Sequence, residues 1–176
     1  MLLVTVGISG SGKNRLKDFL DQYFSSKGIA FTNVEPDAIR RKMWGDVNEQ
    51  KNGHLVFKKA GEQIIKGIIE NKIVFFNATN TNWSRLKAFV EENTDYTQKV
   101  IYIFMMDSLN FNICKQRVND DIKSNIDRSR VPDDIIYRQY QNFQTCFRNA
   151  KDDHEAEIYE YDGQYHKLIL YIEKLI

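Results

Sequence analysis

The chain has 176 residues and a formal net charge of +1, with 25 Lys and Arg against 24 Asp and Glu. That length reads as one domain with a proper core, and the balanced charge excludes bulk attraction to nucleic acid or membrane, so a polyanion must be held by local clusters. No apolar stretch reaches the length of a membrane span, no secretory pattern precedes the first apolar run, and Cys114 and Cys146 lack metal-ligand spacing; the expectation is a cytoplasmic protein with two ordinary thiols.

Leu2 to Val6 reads as a short buried strand, followed by Gly7-Ile8-Ser9-Gly10-Ser11-Gly12-Lys13-Asn14. Leu16, Phe19, Leu20, Tyr23 and Phe24 then recur at helical spacing. Gly28 ends this helix, and Ile29 to Glu35 reads as a second strand. Asp37 follows Pro36, and a short helix over Ala38 to Trp44 carries Arg40, Arg41 and Lys42. After a polar loop from Gly45 to Gly53, a long helix spans His54 to Asn71 with Leu55, Ala60, Ile64, Ile65, Ile68 and Ile69 as its core stripe. Ile73 to Phe76 is a third strand, leading into Asn77-Ala78-Thr79-Asn80-Thr81-Asn82. A helix from Trp83 to Glu92 and a strand from Lys99 to Met106 follow. Asp107-Ser108 cap a helix over Leu109 to Val118. Residues 119–131 are polar without periodicity and read as a lid; Pro132 starts a helix reaching Asn149, with Ile135, Ile136, Tyr140 and Phe143 inward. Ala156 to Tyr161 is a last strand and Tyr165 to Leu175 a last helix. Strands alternating with helices predict an α/β fold, a mostly parallel five-stranded sheet with helices on both faces. Ligands bind such sheets beyond the C-terminal strand ends, where Gly7, Asp37, Asn77 to Asn82 and Asp107 all fall.

The segment from Gly7 to Asn14 matches the P-loop pattern G-x-x-x-x-G-K-[ST] except at its last position. Its glycines let backbone N–H groups converge on phosphate oxygens, and the helix start adds partial positive charge. Gly7, Ser9, Gly10, Ser11, Gly12 and Lys13 are therefore candidate ATP-binding residues, with Lys13 placed to reach the β- and γ-phosphates. Asn14 stands where a hydroxyl residue normally holds Mg²⁺; its carbonyl oxygen is a hard donor and the candidate metal contact. Phosphoryl transfer further needs a base, groups that fix the acceptor and cations over the transferring charge. Asp37 is the candidate base, with an N-cap as its bland alternative. Arg40 stands one helical turn away. Arg128 and Arg130 of the lid are candidates to cover the phosphoryl group. Asn77, Thr79 and Asn80 either hold an acceptor or order the neighbouring loop, and Asp107 reads as a helix cap rather than a metal ligand. His54, His154 and His166 read as surface residues.

Taken in order, Val6 to Lys13, Asp37-x-x-Arg40, Thr79-Asn80, Asp107, and Val131-Pro132 followed by Asp134-Ile135 resemble the phage polynucleotide kinases. The resemblance is to the kinase half of the bifunctional 5′-kinase/3′-phosphatase and runs from about Leu3 to Arg148. It implies a P-loop kinase fold and transfer of the γ-phosphate of ATP, with Mg²⁺, to the 5′-hydroxyl of a DNA or RNA end. It also implies Asp37 as general base, Arg40 on the acceptor's phosphate, and Arg128 or Arg130 as the transition-state arginine that also touches the nucleotide. The chain departs from the family at Asn14, at Ala78 or Asn77 in place of an aspartate, and in a longer lid. No Asp-x-Asp-x-Thr motif follows residue 150, so no phosphatase domain is expected. Two rival readings stand beside this one: a kinase of the same fold acting on a nucleoside, nucleotide, sugar or antibiotic, and a nucleotide-binding protein without turnover.

Overall fold

The computed structural model describes residues 1–47, 52–124 and 131–176. Strand β1, Leu2–Val6, is buried along its whole length, as a strand covered by helices on both faces must be. It lies at the centre of a five-stranded sheet with β2 (Phe31–Val34), β3 (Ile73–Phe76), β4 (Val100–Met105) and β5 (Ile158–Tyr161), in the order β2-β3-β1-β4-β5. All four pairings are parallel, with Leu3 opposite Phe75 on one side and Ile101 on the other.

Alternation along β1 divides the core. Leu2, Val4 and Val6 join one apolar cluster and Leu3 the other. The Leu3 face is covered by α1 (Lys13–Ser26), through Leu16, Leu20 and Phe24, and by α7 (Tyr165–Glu173), through Leu168, Ile169 and Ile172. The opposite face carries α3 (Gly53–Ile69), α4 (Trp83–Asn93), α5 (Phe111–Lys123) and α6 (Asp133–Lys151). A short helix, α2 (Pro36–Trp44), sits at the end of β2. Two crossovers decide where the cleft falls. The chain leaves β1 towards β2 on one side and later passes from β3 across β1 to β4 on the other, so the strand order switches at β1.

Three expectations need correction. The inner stripe of α3 is Val56, Ala60, Ile64 and Gly67, while Leu55, Ile65 and Ile69 are exposed. Gly67 lies so close to the sheet that a Cβ there would fall 2.6 Å from Val74; a glycine on the inner face carries no hydrophobic signal, and the stripe read from the isoleucines was rotated. The first part of the lid, 119–123, is the last turn of α5 rather than a loop, and residues 125–130, with Arg128 and Arg130, lie outside the described residues. Asp107 does not cap the fifth helix: residues Met106–Leu109 form a 3-10 turn, and Asn110 caps α5 by accepting from the N–H of Ile113 at 3.2 Å. No described helix is long and apolar enough to cross a membrane.

Candidate active site

The turn after β1 is held in shape by every neighbouring segment. Gly12 is the N-cap of α1 at φ 94°, and Gly10 has φ 83°, both in the left-handed region that favours glycine. At Gly10 space forbids a side chain as well, since a Cβ would run into the backbone carbonyl of Cys114 on α5. The N–H of Gly7 donates to the carbonyl of Thr79 at 2.9 Å, and that of Ile8 to Ser108 Oγ at 3.1 Å. The N–H of Ser9 donates to Gln139 Oε1 at 2.9 Å, and Arg117 donates to the Gly10 carbonyl at 3.2 Å and to Asp107 Oδ2 at 2.6 Å. Lys13 curls back over the loop, its Nζ 2.9 Å from the Gly7 carbonyl and 2.8 Å from that of Ile8. A cation is thus held against the carbonyls of the turn at a helix N-terminus, a positive site suited to phosphate. Ser11 is 2% exposed and its buried Oγ has no hydrogen-bond partner among the described residues.

Asn77, Thr79 and Asn80 lie against this turn. Thr5, the one polar residue of β1, donates its hydroxyl towards the carbonyls of Phe76 and Ala78, each at 3.2 Å. Asn80, at φ 52°, donates from Nδ2 to the Thr5 carbonyl at 2.9 Å, and Thr79 takes the N–H of Gly7 as above. Asn77 is 3% exposed, and its Nδ2 donates to Asn14 Oδ1 at 3.0 Å. The segment after β3 is therefore stitched to both ends of the glycine-rich turn.

Asp37 and Arg40 sit at the far side of the same sheet edge. Glu35 is the N-cap of α2, Pro36 occupies its first turn, and Asp37 lies within the helix rather than capping it. Arg40 donates to Asp37 Oδ1 at 2.5 Å; the arginine is 9% exposed and its buried Nε has no partner among the described residues. One strand, β3, separates β2 from β1, so two strand spacings, about 10 Å, divide this pair from the glycine-rich turn. Burial holds the carboxyl of Glu35 above its usual range; the hydrogen bond from Asn33 opposes that shift and the negative charge of Asp37 adds to it. Burial likewise pushes the thiols of Cys114 and Cys146 up, to about 11 and about 12, so both stay protonated at neutral pH.

Sequence patterns did not point to Thr5, Arg117 or Gln139, and gave Ser108 only as a helix cap. A threonine inside an otherwise apolar strand was a usable signal for the first. The other three come from helices or turns far along the chain, with no spacing that ties them to residues 7–14. A groove of about 700 Å³ between α1 and α7, lined by Phe19, Tyr23, Tyr165 and Leu170 among others, is apolar and belongs to a different face.

By sequence, no family model and no curated protein matches the chain. By structure it is similar to a chain of the Pnkp1/Rnl/Hen1 RNA repair complex, with a TM-score of 0.67 and 20% identity over 84% of this chain and 45% of that one. The present chain thus spans less than half the length of that relative. It is also similar to the APS kinase CysC of Mycobacterium tuberculosis in complex with AMPPNP and APS, with a TM-score of 0.60 and 12% identity over 99% of this chain and 95% of the other. At these identities the likeness is one of fold, and the fold is that of the P-loop kinases.

Proposed function

We propose that the chain is an ATP-dependent kinase that moves the γ-phosphate to the 5′-hydroxyl of a DNA or RNA end. The observation that carries this reading is the Asp37–Arg40 pair, on the same sheet edge as the glycine-rich turn, with an arginine nine-tenths buried whose Nε has no partner among the described residues. A carboxylate there accepts the hydroxyl proton, and a guanidinium beside it grips a phosphate next to the attacked hydroxyl. The turn's amides that are not already donating to Thr79, Ser108, Gln139 and Ile8, together with the N-terminus of α1, bind the β- and γ-phosphates, and Lys13 neutralises charge that builds on the bridging oxygen. Arg128 and Arg130 are proposed as the cations that cover the transferring group. The likeness to a chain from an RNA repair complex supports the same acceptor class.

Mg²⁺ fits this site in a limited way. Asn14 Oδ1 spends one lone pair on Asn77 and keeps the other, and no cluster of three or more His, Cys, Asp or Glu side chains suited to a metal occurs among the described residues. Asn14 would hold the ion as a neutral oxygen ligand, the remaining ligands being phosphate oxygens and water. When bound, the ion screens the negative charge of the β- and γ-phosphates.

A second reading, a kinase for a small molecule, is favoured by the APS kinase likeness, which spans nearly the whole of both chains. Labelled ATP offered with 5′-hydroxyl oligonucleotides, nucleosides and sugars separates the two. Transfer to oligonucleotides, lost in Lys13→Met with the fold retained, is the expected result; transfer to nucleosides or sugars alone makes the second reading correct. ATP consumption by neither route returns the chain to a nucleotide-binding role.

A further inference from the structure

Gln139 lies on the second turn of α6 and is half-buried. A backbone N–H can only donate, so its contact with Ser9 fixes the side-chain amide: Oε1 faces the loop and Nε2 is the free end. Nε2, with two N–H donors, has no partner among the described residues. The helix beneath it is firmly seated, since Ile136 and Phe143 on either side are fully buried. Further along, the Cys146 thiol approaches the Asn80 carbonyl at 3.7 Å, which ties α6 to the segment stitched to the P-loop.

A purely structural Gln139 needs only an acceptor for Ser9. What the site has in addition is an uncharged pair of donors, fixed at the phosphate-binding turn by a helix locked in the core. Donors held in place without a partner are suited to anionic oxygen, because no reorganisation precedes the contact. We propose that Gln139 Nε2 donates to the terminal phosphoryl group of the bound nucleotide and so favours a triphosphate over a diphosphate. The inference rests on the reading that this turn binds ATP.

Two variants divide the donor role from the acceptor role. Gln139→Glu keeps an oxygen for Ser9 but removes both donors and sets a negative charge beside the phosphate. Gln139→Leu removes donor and acceptor together. Titration calorimetry of the whole chain with AMPPNP and with ADP, alongside melting temperatures, reads the outcome. Gln139→Glu is expected to weaken AMPPNP roughly tenfold or more, the size of one charge-assisted hydrogen bond, with ADP affinity and melting temperature close to wild type. Gln139→Leu is expected to weaken AMPPNP as well and to melt lower, because the Ser9 N–H loses its partner. If Gln139→Glu preserves the wild-type ratio of AMPPNP to ADP affinity, the residue is only a structural acceptor and the inference is overturned while nucleotide binding stands. A wild-type chain that binds neither nucleotide overturns the ATP reading itself, and this inference with it.

Discussion

Asp37 lies inside the first turn of α2 with Arg40 at 2.5 Å, so its carboxylate forms an ion pair and does not cap the helix. Replacing it with Asn keeps a side-chain oxygen for Arg40 and removes the carboxylate proposed to take the hydroxyl proton. Asp37→Asn is expected to lower the transfer rate by about 10²–10⁴-fold, the usual contribution of a positioned acid–base group, with little change in melting temperature. Equal losses in both would make Asp37 a structural residue. Glu35, two residues earlier, gives a prediction in pH. Its folded-state value is raised by burial, so as pH rises the unfolded chain loses this proton first and the native state pays for a charge held out of water. That penalty is complete above the folded-state value and vanishes below the unfolded-state value of about 4.3. Glu35→Gln retains an acceptor for Asn33 and should raise the melting temperature at neutral pH, an effect that fades in acid. A gain of the same size at both pH values would mean that ionisation is not its source.

At the scale of elements, the P-loop owes its shape to contacts from β3, α5 and α6 as much as to its own glycines. Gly10 shows this most directly. It combines a left-handed backbone with the Cys114 carbonyl standing where a Cβ would project, and an added methyl group must displace α5 as well as strain the turn. Gly10→Ala is expected to lower the melting temperature by more than about 5 °C, because strain and a backbone clash add. It should also weaken nucleotide binding, since the amides no longer converge. Calorimetry of the variant with ADP checks both; a variant as stable as wild type would show that α5 is free to move aside. Thr5 works in the opposite direction, from inside the sheet, by pinning the end of β3 so that Thr79 and Asn80 reach the turn.

At the scale of the whole molecule the proposed reaction turns on which acceptor reaches the cleft, and the net charge of +1 leaves that to a few cations. Arg40 is the informative one, because a nucleic-acid end offers it a phosphate and a nucleoside or sugar does not. Arg40→Ala is expected to raise KM for a 5′-hydroxyl oligonucleotide severalfold or more while KM for ATP holds nearly constant. The difference should shrink as salt rises, since phosphate contacts are screened. A nucleoside 3′-monophosphate should be phosphorylated much better than the bare nucleoside. Equal rates for those two acceptors would shift the assignment to a small-molecule kinase.

The periodicities and the glycine-rich turn were enough to determine the strand and helix sequence, the parallel sheet and the position of Lys13, because each depends on neighbours a few residues apart. They also placed Asp37 and Arg40 within one helical turn of each other. Tertiary structure alone decided the inner face of α3, where Gly67 rather than an isoleucine meets the sheet, and the helical start of the presumed lid. It alone brought Asn77 onto Asn14, and Ser108, Arg117 and Gln139 onto the P-loop. Those contacts join residues 63 to 130 positions apart in the chain. No local pattern encodes them, because they arise only when parallel crossovers deliver the ends of separate strands and helices to one edge of the sheet.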